Sequence, residues 1–380
     1  MSKVYITASS ISCALGCDKQ SSIEKFLSIN EQNYKEYLED CFLDAPYYKI
    51  PQEFKDQSDK FFSTLENVIG SALMEADLHT AQQEELHIYL ASTSMNISLL
   101  EDSFLNSDTL EAFGYQNIVS FIEDLIPSNF PITIIQTACT SAANATIKAY
   151  EQIKNSNIKR AMIIGFEFYN HSTYKGFESL MLLSNSGIYR PFDKNSDGLI
   201  LGEACSVIIL EDHKKSHENF EIIGYATNFD NYSITSSNPN GEATLNCFKD
   251  ALKSANLSFG DLDFIKAHAT GSENSNLSEA TAIQRLFDDE KSSCDIVVLK
   301  PYIGHTLGSC ATNEIILLSE AINQNIVPKT LNFKEPYKGI TFRPLDKERI
   351  ISEATVLFHF VGFGGSNASI ILTNKSSQCI

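Results

Sequence analysis

A strand covered on both faces reads as an unbroken apolar run, and this chain contains a series of them. Residues 132–136, 160–167, 204–211, 295–299, 354–360 and 368–372 are short, rich in β-branched side chains and nearly free of polar alternation. Such runs belong in sheets with helices packed on each side. Further strands are expected at 4–6, 86–92, 221–227 and 264–268. Helical periodicity fills the intervals: Phe61, Leu65, Val68 and Ala72 share one face over 61–75, and helices are expected at 141–155, 241–255, 277–287 and 308–324. Strands alternating with helices imply an α/β fold. The charged stretch 212–219 is the best linker in the chain and divides it into halves, 1–212 and 213–380. Each half contains a strand, a reactive residue and a helix opening on small side chains: Cys139 in the first, His305 in the second.

The turn Thr137-Ala-Cys-Thr-Ser141 lies between the run at 132–136 and a helix. Cys139 therefore sits where unpaired amides and the positive end of a helix dipole converge, a position that favours ionisation of a thiol and suits it to be a nucleophile. Two histidines follow strands in the second half, His268 and His305, and a glycine-rich turn, 362–365, lies between two apolar runs. Residues just past strand ends gather at one rim of an α/β fold, where sites form.

The 380 residues hold 29 Lys and Arg against 48 Asp and Glu, a net charge of -19, which makes the chain a poor candidate for sequence-independent nucleic-acid binding. Nine cysteines, an odd number with no C-x-x-C pair, argue against a disulfide framework or a zinc ribbon. His213-x-x-x-His217 lies in charged linker and lacks matching ligands, so no metal is expected. There is no signal peptide pattern and no apolar run of membrane-spanning length, so the expectation is a cytoplasmic protein without a membrane span.

Taken together, these motifs resemble a β-ketoacyl-(acyl carrier protein) synthase of the elongating Cys-His-His type. Thr137–Ser141 resembles the family's nucleophile motif, and His268-Ala-Thr-Gly-Ser272 its His-Gly-Thr-Gly-Thr. Lys300 with Gly304-His-Thr-Leu-Gly308 and Gly362-Phe-Gly-Gly365 resemble two more, and Arg190-Pro-Phe-Asp193 with Asp197-Gly198 a further signature. Ala269, Ser272 and Ala311 depart from the usual residues without removing a reactive group.

The resemblance implies a thiolase-like fold, two similar βα halves in a five-layered α-β-α-β-α core. It implies that Cys139 takes an acyl group and condenses it with a malonyl thioester by decarboxylative Claisen chemistry. His268 and His305 would stabilise the enolate, and the amides of Cys139 and Phe363 would form the oxyanion hole. Phe363 would gate the pocket, Thr270 and Ser272 would bind the pantetheine arm, and Lys300 would lie beside the histidines with Glu279 as its partner. No cofactor is implied beyond the phosphopantetheine of the acyl carrier protein. That carrier is the expected partner, alongside a homodimer or a heterodimer with a homologous chain-length-factor subunit. Carrier docking is expected at a local basic patch drawn from Lys55, Lys60, Lys266 and Arg190. The alternatives are a non-elongating scaffold subunit and a thiolase-like acyltransferase; the latter uses a second cysteine near its C-terminus as base, and Cys379 lies in a polar tail.

Overall fold

The computed structural model describes residues 2–30, 36–37, 46–106 and 114–376. Cys41 and Cys379, with parts of the polar stretch at 18–60 and of the excursion at 95–127, lie outside the described residues.

Ten strands form one mixed sheet system: β1 (Tyr5–Cys13), β2 (His87–Ala91), β3 (Thr133–Ile135), β4 (Arg160–Glu167), β5 (Ala204–Glu211), β6 (Glu221–Phe229), β7 (Phe264–Lys266), β8 (Asp295–Val297), β9 (Thr355–Gly362) and β10 (Ser366–Thr373). Their spatial order is β8-β7-β9-β10-β6-β1-β5-β4-β2-β3. Read outward from the middle, the two runs are the same plan: each strand of the first has its counterpart five places later. The pairing sense repeats as well. β2 is parallel to β3 and β4, as β7 is to β8 and β9, and the remaining pairs within each run are antiparallel. The runs meet where Tyr5 of β1 faces Glu221 of β6.

Five helices cover these runs: α1 (Gln57–Ala76), α2 (Ser141–Lys154), α3 (Glu242–Ala255), α4 (Glu273–Glu290) and α5 (Cys310–Asn323). β5 shows why most of its sequence is apolar. Cys205, Val207 and Ile209 face an outer core with Phe61, Leu65 and Val68 of α1, while Ile208 and Leu210 face a central core that holds α2 and α5. A third core joins α3 and α4 to the far face of the second run through Phe248, Leu252, Ile283 and Leu357. The layers are therefore helix, sheet, paired central helices, sheet, helix: the five-layered thiolase-like arrangement. α1 begins where the Asp56 side chain accepts the Asp59 N–H, 2.7 Å, a capping contact that satisfies an orphan amide. The central helices open on Ser141-Ala-Ala and Cys310-Ala-Thr, small side chains that let helix and sheet backbones approach closely.

Candidate functional site

Between β3 and α2 the chain turns through Ala138, whose φ is +51°. That left-handed conformation costs roughly 1–2 kcal/mol for a residue with a Cβ, so the surroundings must hold it. Small polar side chains do so. The Thr137 N–H donates to Ser141 Oγ at 2.9 Å, Ser141 Oγ donates to the Ala138 carbonyl at 2.7 Å, and Asn144 Nδ2 donates to Thr137 Oγ1 at 2.8 Å. Cys139 is thereby pinned at the bottom of a pocket, buried, with the Phe363 N–H hydrogen-bonded to its sulfur. Burial pushes the Cys139 thiol up, and Cys310 and Glu167 add to this, while Lys300 and the Phe363 amide pull the other way. This direction runs against the sequence expectation of an easily ionised thiol, because burial disfavours the charged thiolate.

His268 and His305 line the same pocket as Cys139. Their rings stand edge to face with centroids 5.3 Å apart, and both are buried. The Ala267 N–H donates to the Val297 carbonyl, and the N–H groups of His268 and Ala269 donate to the two oxygens of Glu279 at 2.7 and 2.6 Å. His305 is held by backbone bonds on both sides, its N–H to Ile200 and its carbonyl from Gly202. Burial and the Lys300 ammonium keep both imidazoles well below the usual histidine value, so both are neutral. Lys300 Nζ lies 3.2 Å from His268 Nδ1. An ammonium can only donate, so Nδ1 accepts and the ring proton of His268 sits on Nε2.

Lys300 shows where sequence reading missed a partner. Its carboxylate is Glu314 at 2.7 Å, not Glu279, both of whose oxygens are taken by peptide N–H groups. Glu314 lies in α5, and its other oxygen pairs with Lys266. Burial alone would lower both ammonium groups; Glu314 more than offsets this at Lys300 and raises it, whereas Lys266 ends lowered to about 8. One carboxylate cannot neutralise two cations, and Lys300 itself repels Lys266. The visible signal was a lone acidic residue in the otherwise uncharged stretch 310–319.

At the mouth, Thr270 Oγ1 and Ser272 Oγ lie 3.1 Å apart and both line the pocket. Ser272 is the N-cap residue of α4 by position, yet its side chain makes no capping bond; its hydroxyl is left for Thr270 and the pocket. Phe363 stacks on Phe177 with centroids 5.5 Å apart and planes at 19°. The glycine turn that carries it is tied to a facing loop, with Gly364 N–H donating to the Ile234 carbonyl and Asp230 N–H to the Gly365 carbonyl, each 2.7 Å.

Of the expected docking cations, the fold withdraws one and pairs two. Lys266 is fully buried. Lys60 pairs with buried Glu203, and Arg190 is held by Ser186 and Asp197; Lys55 remains exposed. Besides Glu314, sequence reading overlooked Glu167, buried at the end of β4. It accepts the N–H groups of Thr93, Ser94 and Gly308 and so anchors the turn after His305. Among the described residues no group of three or more His, Cys, Asp or Glu is arranged to hold a metal ion.

Residues 128–216 match the family model for the beta-ketoacyl synthase N-terminal domain, and residues 219–334 the C-terminal domain. A Schizosaccharomyces pombe protein described as a mitochondrial 3-oxoacyl-(acyl-carrier-protein) synthase is 30% identical over 307 residues, 72% of this chain and 72% of that protein. The 3-oxoacyl-(acyl-carrier-protein) synthase 2 of Coxiella burnetii is 29% identical over 67% of this chain and 64% of its own length. Among solved structures, a chain from a type II PKS acyl-carrier protein in complex with its ketosynthase superposes with a TM-score of 0.85 at 18% identity, covering 99% of this chain and 100% of that one. A ketosynthase in complex with its chain length factor from Xenorhabdus doucetiae gives 0.80 at 19%, covering 98% of each. The chain belongs to the β-ketoacyl synthase family, with the N- and C-terminal domains of that family matched in order along a thiolase-like fold.

Proposed function

We propose that this chain is an acyltransferase that condenses a carrier-bound acyl group with a malonyl carrier thioester. The observation that carries the reading is one pocket lined by Cys139 and two neutral histidines. The Cys139 sulfur attacks the acyl thioester, forming the acyl-cysteine and breaking the bond to the carrier sulfur, which leaves with the thiol proton. The N–H groups of Cys139 and Phe363 would bind the oxyanion that forms. The malonyl thioester then loses carbon dioxide, and its enolate oxygen receives hydrogen bonds from the ring N–H groups of the two histidines. Such donors are worth ~2.7–4 kcal/mol each in a dry site. The enolate carbon attacks the acyl-cysteine, and the released sulfur regains a proton as the 3-oxoacyl product forms. Lys300 sets the tautomer of His268, Thr270 and Ser272 hold the pantetheine arm, and rotation of the Phe363 ring admits the acyl chain.

The reading needs no resident cofactor, since the substrates arrive on the phosphopantetheine of an acyl carrier protein. It takes the protein to be a cytoplasmic homodimer; no helix is long and apolar enough to cross a membrane among the described residues. A heterodimer with a chain-length-factor homologue is the second arrangement, and the structural neighbours include such complexes. A scaffold subunit is disfavoured because the cysteine and its strained turn are intact. The test is intact mass spectrometry after incubation with acyl carriers. The wild type gains one acyl mass, Cys139→Ala gains none, and His268→Ala and His305→Ala load normally but release carbon dioxide from malonyl carrier slowly. Acyl mass on Cys139→Ala, or unchanged decarboxylation in both histidine variants, overturns it.

A further inference from the structure

His268 has a lysine to define its tautomer; His305 has a cysteine. Its Nδ1 lies 3.2 Å from Cys310 Sγ, and Thr306 Oγ1 donates to the same sulfur at 3.5 Å. Thr306 Oγ1 in turn accepts from Asn313 Nδ2 at 2.9 Å, and a second Asn313 N–H reaches Ser309 Oγ at 2.9 Å. All five residues are buried.

The directions of the Asn313 and Thr306 protons in this cluster follow from one bond. Ser309 Oγ gives its only proton to the Thr306 carbonyl, 2.8 Å away, so the Asn313 group facing it must be the donating NH2. Asn313 therefore also donates to Thr306, whose own proton is free for the Cys310 sulfur. Burial holds the Cys310 thiol up at about 11, so it retains a proton to give. A neutral imidazole has one acceptor nitrogen, and the ring atom that faces this thiol is Nδ1.

We propose that Cys310 is a positioning residue: its S–H donates to His305 Nδ1, at the end of a one-way chain Asn313–Thr306–Cys310, and so fixes the His305 proton on Nε2, facing the substrate. The role of that proton rests on the function proposed above; the tautomer itself does not.

Two readouts test this on the full-length protein. In protein labelled with 15N-histidine, long-range nitrogen–proton spectra of the wild type should show His305 with an acceptor-type Nδ1 and a protonated Nε2. Cys310→Ala, or Cys310→Val if the smaller side chain fails to fold, should show a mixture of tautomers, and Cys310→Ser should restore the single form. Malonyl carrier decarboxylation should fall by about 2- to 10-fold in the donor-less variant, the share of one hydrogen bond, with acyl loading at Cys139 unchanged and recovery in Cys310→Ser. A single Nε2–H tautomer in the donor-less variant overturns the proposal, as does a serine variant that recovers neither tautomer nor decarboxylation. If Cys139 never loads, the function is refuted while the spectra still decide the tautomer.

Discussion

Glu314 stands between two ammonium groups, all three side chains buried. Removing one partner of such a cluster is costly because the charge left behind has no water to turn to. Glu314→Gln should lose about 3–5 kcal/mol of stability by urea unfolding, and decarboxylation should fall with it as Lys300 loses its hold beside His268. The histidines make a separate prediction about acid. His268, His305 and His359 are buried with values well below the ordinary 6.5. The unfolded chain therefore binds protons that the folded chain refuses, and stability falls as pH drops below about 6.5. His359→Gln should show a shallower fall in the urea midpoint between pH 7.5 and 5.5 than the wild type; an equal slope would show that His359 contributes nothing. Lys266, lowered from 10.5 to about 8, acts at the other end, where stability should rise with pH between those values and Lys266→Met should remove that rise.

Elements explain which part of this was legible beforehand. Strands such as β4 and β5 were readable because both faces are buried, so composition alone marks them; the run at 132–136 was expected to be covered in the same way, but β3 lies at the sheet edge with Thr133 exposed and both isoleucines half-buried. Cys139, His268 and His305 were readable because each follows such a run at the start of a turn. Glu314 was not, because it lies in the central helix and its partners come from two different segments of chain. Lys266 was misread for the same reason: a lysine at a strand end looks solvated until the carboxylate across from it is known. Cys310 was counted as one thiol among nine, since nothing in the spacing shows that a helix start returns to the histidine five residues before it. The turn between them is tightly specified. A Cβ on Gly308 would lie 2.5 Å from Thr93 N and 2.8 Å from Glu167 Oε1. Gly308→Ala should destabilise the protein by about 1–3 kcal/mol through overpacking and lower activity by displacing His305, read as a lower melting temperature together with slower decarboxylation. An unchanged melting temperature would mean that the β2 and β4 ends can yield.

At the scale of the molecule, the sheet ends on β3, a three-residue edge strand paired to β2. An open edge is a template for another strand, and continuation through a second copy is the simplest route to the proposed homodimer. Light scattering should give twice the chain mass of 42.2 kDa, and Thr133→Lys, which places a charge on the edge, should shift the population toward monomer. A monomeric wild type, or a variant that stays fully dimeric on dilution, would point elsewhere. The opposite situation holds at β1, which is first in the chain yet sits in the middle of the sheet, between β5 and β6. Thr7 of β1 bonds Glu211 of β5, 204 residues later. A ribosome adds about 5–20 residues each second, so a strand that ends up almost wholly buried emerges and then waits roughly ten to forty seconds for the neighbour that covers it. Synthesis is therefore a stage at which this chain is expected to be exposed to aggregation. A pause placed before β5 should therefore lower soluble yield, while the same pause placed after β10 should leave it unchanged.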